Sequence, residues 1–235
     1  MREPIVTQNV YHVLNRGVDK RVIFLEQEDY FRFVHNLFEF NDVEPAENAG
    51  YFFNSKNSKD VANPYIIKPK RKKRKLLVEI LAFCLMPNHY HLMLRPKLDN
   101  SLPLFMKKLN TGYANYFNQK NKRAGALFEG RYKAIEINQE SHFIHLPYYI
   151  HLNPLDLVAP EWRQGKLNNY QGAIEFLEQY RWSSFLDYIG KHNFPSVTQR
   201  EFLSELFDGS AEYKKSTFKW LKDLDMSNLN ESTLE

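Results

Sequence analysis

Residues 76–95 read LLVEILAFCLMPNHYHLMLR. Two apolar runs with β-branched and aromatic residues are broken by Met86-Pro87-Asn88, which predicts two strands joined by a turn. Side chains alternate across a strand, so His89 and His91 share one face while Tyr90, Leu92 and Leu94 point to the other. Two imidazoles on one face are often hydrogen-bonded core or surface residues; they are also suited to metal binding or catalysis. A second element has to separate these readings.

That element is SHFIHLPYYIHLNP, residues 141–154. It predicts a short helix opened by Ser141 and stopped by Asn153-Pro154, with Tyr149 and Asn153 four apart on one face. A phenol is a poor nucleophile at neutral pH unless it or its electrophile is activated, and a metal-bound phosphate is such an electrophile. An amide oxygen is a hard ligand suited to Mg²⁺ or Mn²⁺, and imidazole tolerates Mn²⁺. His89, His91 and Asn153 are therefore candidate metal ligands and Tyr149 a candidate nucleophile. Asn153 before Pro154 is equally a helix stop. Pro147 removes a backbone donor and can kink the turn just before Tyr149. His145, four residues before Tyr149, is a weaker candidate for a helper base or an extra ligand.

The pair PNHYHLML (87–94) and YIHLNP (149–154) resembles the single-tyrosine HUH transposases of insertion sequences, especially their REP-associated branch. HUH denotes His, hydrophobic residue, His, and Tyr90 fills the middle place. The resemblance extends through YHVLNRG (11–17), LFEGRYKA (127–134) and YRWSSF (180–185). It implies metal-assisted cleavage of single-stranded DNA with hairpin-forming ends. The tyrosine attacks the phosphate, leaving a 5′-phosphotyrosine and a free 3′-hydroxyl. Relatives occur as monomers and as dimers that exchange the tyrosine helix, so a homodimer is one expectation.

At 235 residues, with 43% hydrophobic and 15% aromatic residues, the chain is long and apolar enough to fold around a core. The single cysteine, Cys84, sits in an apolar strand and reads as core, which suits a reducing cytoplasm. No run approaches the roughly 20 apolar residues of a membrane span and the N-terminus lacks the apolar core of a signal peptide, so a soluble cytoplasmic protein is expected. Net charge is +4, yet Lys68 and residues 70–75 alone carry seven positive charges, so the rest of the chain is net negative. The basic excess lies in one place.

Taken in order, residues 11–14 predict a strand and residues 28–40 an amphipathic helix, followed by a long loop over 41–75 that closes in the basic run. After the hairpin, residues 102–117 predict a second amphipathic helix and residues 131–137 a further strand. The expected fold is α+β, a ferredoxin-like antiparallel sheet covered by helices, with a catalytic domain over 1–160 and a C-terminal helical extension over 161–235. Basic residues interleaved with rings suit single-stranded nucleic acid. The candidate DNA-binding residues are Arg16, Lys70, Arg71, Lys72, Lys73, Arg74, Lys107, Lys108, Arg123, Arg131 and Lys133. The competing reading is a non-enzymatic nucleic-acid-binding module, which explains the lysines but has no use for His89, His91, Tyr149 and Asn153 together.

Overall fold

The computed structural model describes residues 5–45 and 74–223. Four strands, β1 (Val10–Arg16), β2 (Val78–Met86), β3 (His89–Pro96) and β4 (Lys133–Ile137), form one sheet in the order β2-β3-β1-β4. Every neighbouring pair is antiparallel. Helix α1 (Gln27–Glu39) lies between β1 and β2 in the chain, and α2 (Ser101–Lys120) between β3 and β4. This is the expected ferredoxin-like arrangement.

The expected turn at Pro87-Asn88 joins β2 to β3, with Met86 opposite His89 and Cys84 opposite His91. A bulge between Ile80 and Ala82 changes the parity of β2. Before it Val78 and Ile80, and after it Phe83 and Leu85, join Tyr90, Leu92 and Leu94 in the core beneath α1 and α2. Leu81, Ala82, Cys84 and Met86 instead join Met93 and Tyr149 in a second core on the opposite face. Strand β1 continues through Asn15 and Arg16, where it was expected to stop, because these residues pair with Tyr90 and His89. Strand β4 begins at Lys133, two residues later than expected. The chain first contacts β1 through Glu129 N–H, bonded to the Arg16 carbonyl at 2.9 Å, and rejoins it only at Lys133, opposite Leu14.

Helix α1 opens with a reciprocal capping box between Glu26 and Asp29. The Asp29 carboxylate, fully buried, also accepts from Lys120 Nζ at 2.6 Å and Tyr116 Oη at 3.0 Å, tying the start of α1 to the end of α2. The two helices approach closely only because Gly112 lacks a Cβ, which would stand 2.3 Å from the Phe40 ring.

The second face of the sheet is covered by α3 (Glu140–Leu152), the 3₁₀ helices Asn153–Leu157 and Pro160–Gln164, and helices α4 (Tyr170–Gln179), α5 (Phe185–Tyr188), α6 (Glu201–Leu206) and α7 (Ser210–Lys222). Trp162, Leu177, Phe185, Leu203 and Tyr213 share one apolar cluster with Leu146, Tyr149 and Leu152. The segment expected as a C-terminal extension therefore completes this layer. It also shields the edge of β2: Leu85 N–H bonds the Trp182 carbonyl, Ser184 N–H the Phe83 carbonyl and Gln199 N–H the Ile80 carbonyl, at 2.8, 3.0 and 3.0 Å.

His151, fully buried, fastens this layer, with Nδ1 2.6 Å from Tyr213 Oη and Nε2 2.7 Å from Ser184 Oγ. Burial lowers its pKa to about 3, so it folds as a neutral ring. His151→Leu keeps the volume but takes the ring nitrogen from the buried Tyr213 hydroxyl, while Ser184 Oγ keeps its bonds to the Phe83 backbone. We expect a loss of about 1–3 kcal/mol, checked by urea unfolding.

Candidate active site

Strand parity delivers both histidines to the α3 face, as the alternation predicts. The rings of His89 and His91 are 5.0 Å apart and perpendicular. A third imidazole joins them from β1. His12, fully buried, stacks on His91 at 5.1 Å, and its Nε2 lies 2.9 Å from His91 Nδ1. His89 Nδ1 lies 2.6 Å from Asn88 Oδ1. Both candidate ligands thus have Nδ1 engaged, and Nε2 of each has no hydrogen-bond partner among the described residues.

Helix α3 sets Tyr149 on this cluster. Its ring stands edge-on to His91 at 5.8 Å and to His12 at 6.1 Å, and the side chain is fully buried. Pro147 lies inside this helix, which runs as one element from Glu140 to Leu152. Asn153 lies one turn on, also fully buried, and its amide is used at both ends. Nδ2 donates to the Tyr149 carbonyl at 2.7 Å, closing the last turn, and Oδ1 accepts from Arg163 Nη2 at 3.1 Å. The same guanidinium donates through Nη1 to Tyr149 Oη at 3.1 Å. Asp156 holds it in place, accepting from Nε at 2.9 Å and from Nη2 at 2.7 Å, and also takes the Trp162 indole N–H at 2.7 Å.

Burial pulls His89 down to about 4, with Asp156 opposing and Arg16 and Arg163 adding to the shift. His91 is held well below its ordinary value by burial and then by His89, His12 and Arg163. Both rings are therefore uncharged at neutral pH, the form that binds metal. Arg163 loses to burial but gains more from Asp156 and Tyr149, so its pKa is raised and its charge is fixed.

By donor chemistry, two neutral imidazoles whose Nε2 atoms have no partner among the described residues, with the buried amide oxygen of Asn153, fit a divalent ion of the Mg²⁺ or Mn²⁺ kind. His91 can ligate through Nε2 only if its proton sits on Nδ1 and is donated to His12, so His12 would act as the outer partner that sets the tautomer. Among the described residues no group of three or more His, Cys, Asp or Glu is arranged to hold a metal, and the expected set of two histidines and one asparagine is not of that kind. His145 stacks on Trp220 at 5.9 Å and makes no contact described with the cluster.

The basic candidates divide by what they touch. Arg16 faces Glu129 at 3.5 Å, Arg74 donates to the Phe38 carbonyl at 2.8 Å, and Arg123 donates to Asn118 Oδ1 at 2.7 Å. Lys108 Nζ donates to the carbonyls of Asp42 and Glu44, at 2.6 and 3.0 Å, anchoring the start of the long loop. Lys107, Arg131 and Lys133 are exposed and have no polar partner among the described residues. Lys107 and Arg131 line a groove of ≈ 540 Å³ on the α2 side of the sheet, with Asn110 and Tyr132. Lys70, Arg71, Lys72 and Lys73 lie outside the described residues.

Sequence reasoning missed His12, Asp156 and Arg163. His12 lies within the quoted YHVLNRG, and alternation alone puts it on one face of β1, but only the pairing of Leu14 with His91 brings that face to the site. Asp156 and Arg163 reach Tyr149 through two successive 3₁₀ turns, which carry no hydrophobic period to read.

Residues 54–153 match the family model described as IS200-like transposase. No curated protein gives a significant match. Among solved structures, the chain is similar to a REP-associated tyrosine transposase bound to a REP hairpin. The TM-score is 0.50 at 14% identity, covering 84% of this chain and 88% of that one. At that identity the likeness speaks to fold. The family match covers His89, His91, Tyr149 and Asn153, the residues that carry the resemblance read from the sequence, and over that segment the chain is similar to the IS200-like transposases.

Proposed function

We propose that this chain is a transposase that cleaves and rejoins single-stranded DNA through a covalent bond to Tyr149, assisted by a divalent ion, Mg²⁺ or Mn²⁺, at His89, His91 and Asn153. The observation that carries the reading is the packing of the Tyr149 ring against His91 at 5.8 Å, with a hydroxyl that already meets a fixed cation. When bound, the ion would polarise the scissile phosphate. The chain's own residues do the rest. Helix α3 presents the phenol from a rigid, buried position, so little orientational freedom remains to be lost at the moment of attack. The His12–His91 contact fixes the direction of the ligating ring, and Asn153 ties the tyrosine helix to the same site.

Attack forms an Oη–P bond and breaks the bond from phosphorus to the 3′-oxygen. The phenol proton is matched by the one gained by the departing 3′-hydroxyl, and the reverse step rejoins a strand. The neighbour bound to a REP hairpin supports DNA with hairpin-forming ends as the substrate class. The non-enzymatic reading explains the exposed cations but not why His12, His91 and Arg163 converge on one buried phenol.

Tyr149→Phe removes only the hydroxyl. We expect it to abolish the protein–DNA adduct seen on denaturing gels with single-stranded DNA from the gene's own flanks, while DNA binding stays within about threefold. An adduct that persists excludes Tyr149.

His12→Phe keeps the stack on His91 and removes the acceptor for its Nδ1 proton. Mn²⁺ affinity, read by calorimetry on the full chain, should fall about 10–100-fold. An unchanged affinity removes His12 from the metal's surroundings.

For the basic surface, Lys107→Ala with Arg131→Ala should weaken binding to single strands regardless of sequence and flatten the salt dependence by about 0.7 in slope for each phosphate no longer neutralised. Lys108→Ala is the control. Its ammonium is already committed to two carbonyls, so the slope should hold while thermal stability falls.

A further inference from the structure

We propose that Arg163 is a further catalytic residue, a phosphate clamp that bridges the Tyr149 oxygen and the phosphate it attacks. The inference rests on the strand-transfer reading above and adds to it a residue outside the matched segment 54–153.

A guanidinium has five N–H groups in a fixed plane. The edge formed by Nε and Nη2 is taken by the two oxygens of Asp156, at 2.9 and 2.7 Å. The other edge faces the site, with Nη2 donating to Asn153 Oδ1 and Nη1 to Tyr149 Oη, both at 3.1 Å. Four N–H groups are thereby used. The fifth, on Nη1, has no partner among the described residues, and it belongs to the nitrogen that already touches the nucleophile. A phosphorus about to bond to Oη must bring its non-bridging oxygens within reach of that same nitrogen.

Exposure points the same way. Tyr149 is fully buried, whereas the side chains of Arg163 and Asp156 each keep 27% of their surface in solvent. Arg163 thus lies on the solvent side of the phenol, and its carbon sits 5.2 Å from the Tyr149 ring centre. A strand entering from solvent meets the guanidinium first. A structural staple between the two 3₁₀ helices would need only the Asp156 pair. It would not need the second edge turned onto the nucleophile and the candidate ligand.

In this role Arg163 does not exchange a proton. It holds the scissile phosphate against Oη and neutralises charge on the non-bridging oxygens as the Oη–P bond forms and the bond to the 3′-oxygen breaks, the phenol proton being balanced by the new 3′-hydroxyl. Asp156 is then a positioning residue, keeping the fork aimed and the charge fixed.

The experiment measures single-turnover adduct formation by the full-length protein, with Mn²⁺ and single-stranded oligonucleotides from the flanks of its own gene, alongside DNA affinity and melting temperature. Arg163→Gln should slow adduct formation about 10²–10³-fold with DNA affinity changed less than about threefold, and Arg163→Lys should recover part of the rate. A purely structural role moves melting temperature and leaves the rate of the folded fraction alone. The decisive readout uses both phosphorothioate diastereomers at the scissile position. Wild type should be slowed more than Arg163→Gln by one of them, because the variant no longer holds that oxygen. If the two effects multiply independently, or if Arg163→Gln and Arg163→Lys both keep the wild-type rate, the clamp is wrong while strand transfer stands. If wild-type protein forms no adduct with any flank, the underlying reading falls and the clamp with it.

Discussion

A strand buried on both faces has no solvent side on which to put a polar residue, and β3 is such a strand. Tyr90, Leu92 and Leu94 fill the core under α1 and α2, while His91 and Met93 fill the one under α3. Once the turn at Pro87-Asn88 fixes the register, a slip of one residue would drive both imidazoles into the α1/α2 core and expel three apolar side chains. Apolar packing on one face thereby determines where the chemistry sits on the other. The bulge at Leu81 serves the same constraint from β2, since without it Phe83 and Leu85 would fall on the histidine face and Cys84 would leave it.

The histidine face is polar yet dry, and this decides its electrostatics. A buried imidazole that gains a proton must be solvated by its neighbours, and here the neighbours are other imidazoles, a phenol and a guanidinium. Burial dominates the shifts of both His89 and His91, and the charge on Arg163 adds to each. Asp156 is the nearby anion, but both of its oxygens are committed to Arg163, one of them also to the Trp162 indole. The site thus favours two neutral nitrogen donors under one fixed positive charge, an arrangement that suits an incoming anion better than an incoming proton.

What could be read from the sequence was what has a period. The two-residue alternation of 89–94 gave the shared face of His89 and His91, the four-residue step gave Tyr149 and Asn153, and the order of elements gave the ferredoxin-like sheet. What could not be read was pairing between distant segments. His12 belongs to the site because β1 lies beside β3, and Arg163 because two 3₁₀ turns fold it back over α3; neither relation leaves a local pattern. The basic residues show the opposite failure. Lys108 and Arg74 look like candidates for phosphate by composition, but each already donates to a backbone carbonyl at 2.6 to 2.8 Å. A charge count cannot tell a cation that binds its own chain from one that is free to bind another.

At Asn153, helix stop and metal ligand look like alternatives in the sequence, and the structure lets one side chain serve both. An amide has a donor end and an acceptor end, and here the partners fix which is which. The Tyr149 carbonyl can only accept, so Nδ2 must face it, and Arg163 can only donate, so Oδ1 must face the guanidinium. The helix end is therefore closed by the nitrogen, and the oxygen stays on the side of the Arg163 guanidinium. An oxygen has a second lone pair beyond the one Arg163 uses, so a metal ion does not require the closure of α3 to be undone. The two roles would use different atoms of one side chain. Aspartate at this position would supply oxygen at both ends and set a carboxylate against the Tyr149 carbonyl, loosening the turn that aims the phenol even if it strengthened a metal's hold. Asparagine would meet both demands because its amide places donor and acceptor on different atoms.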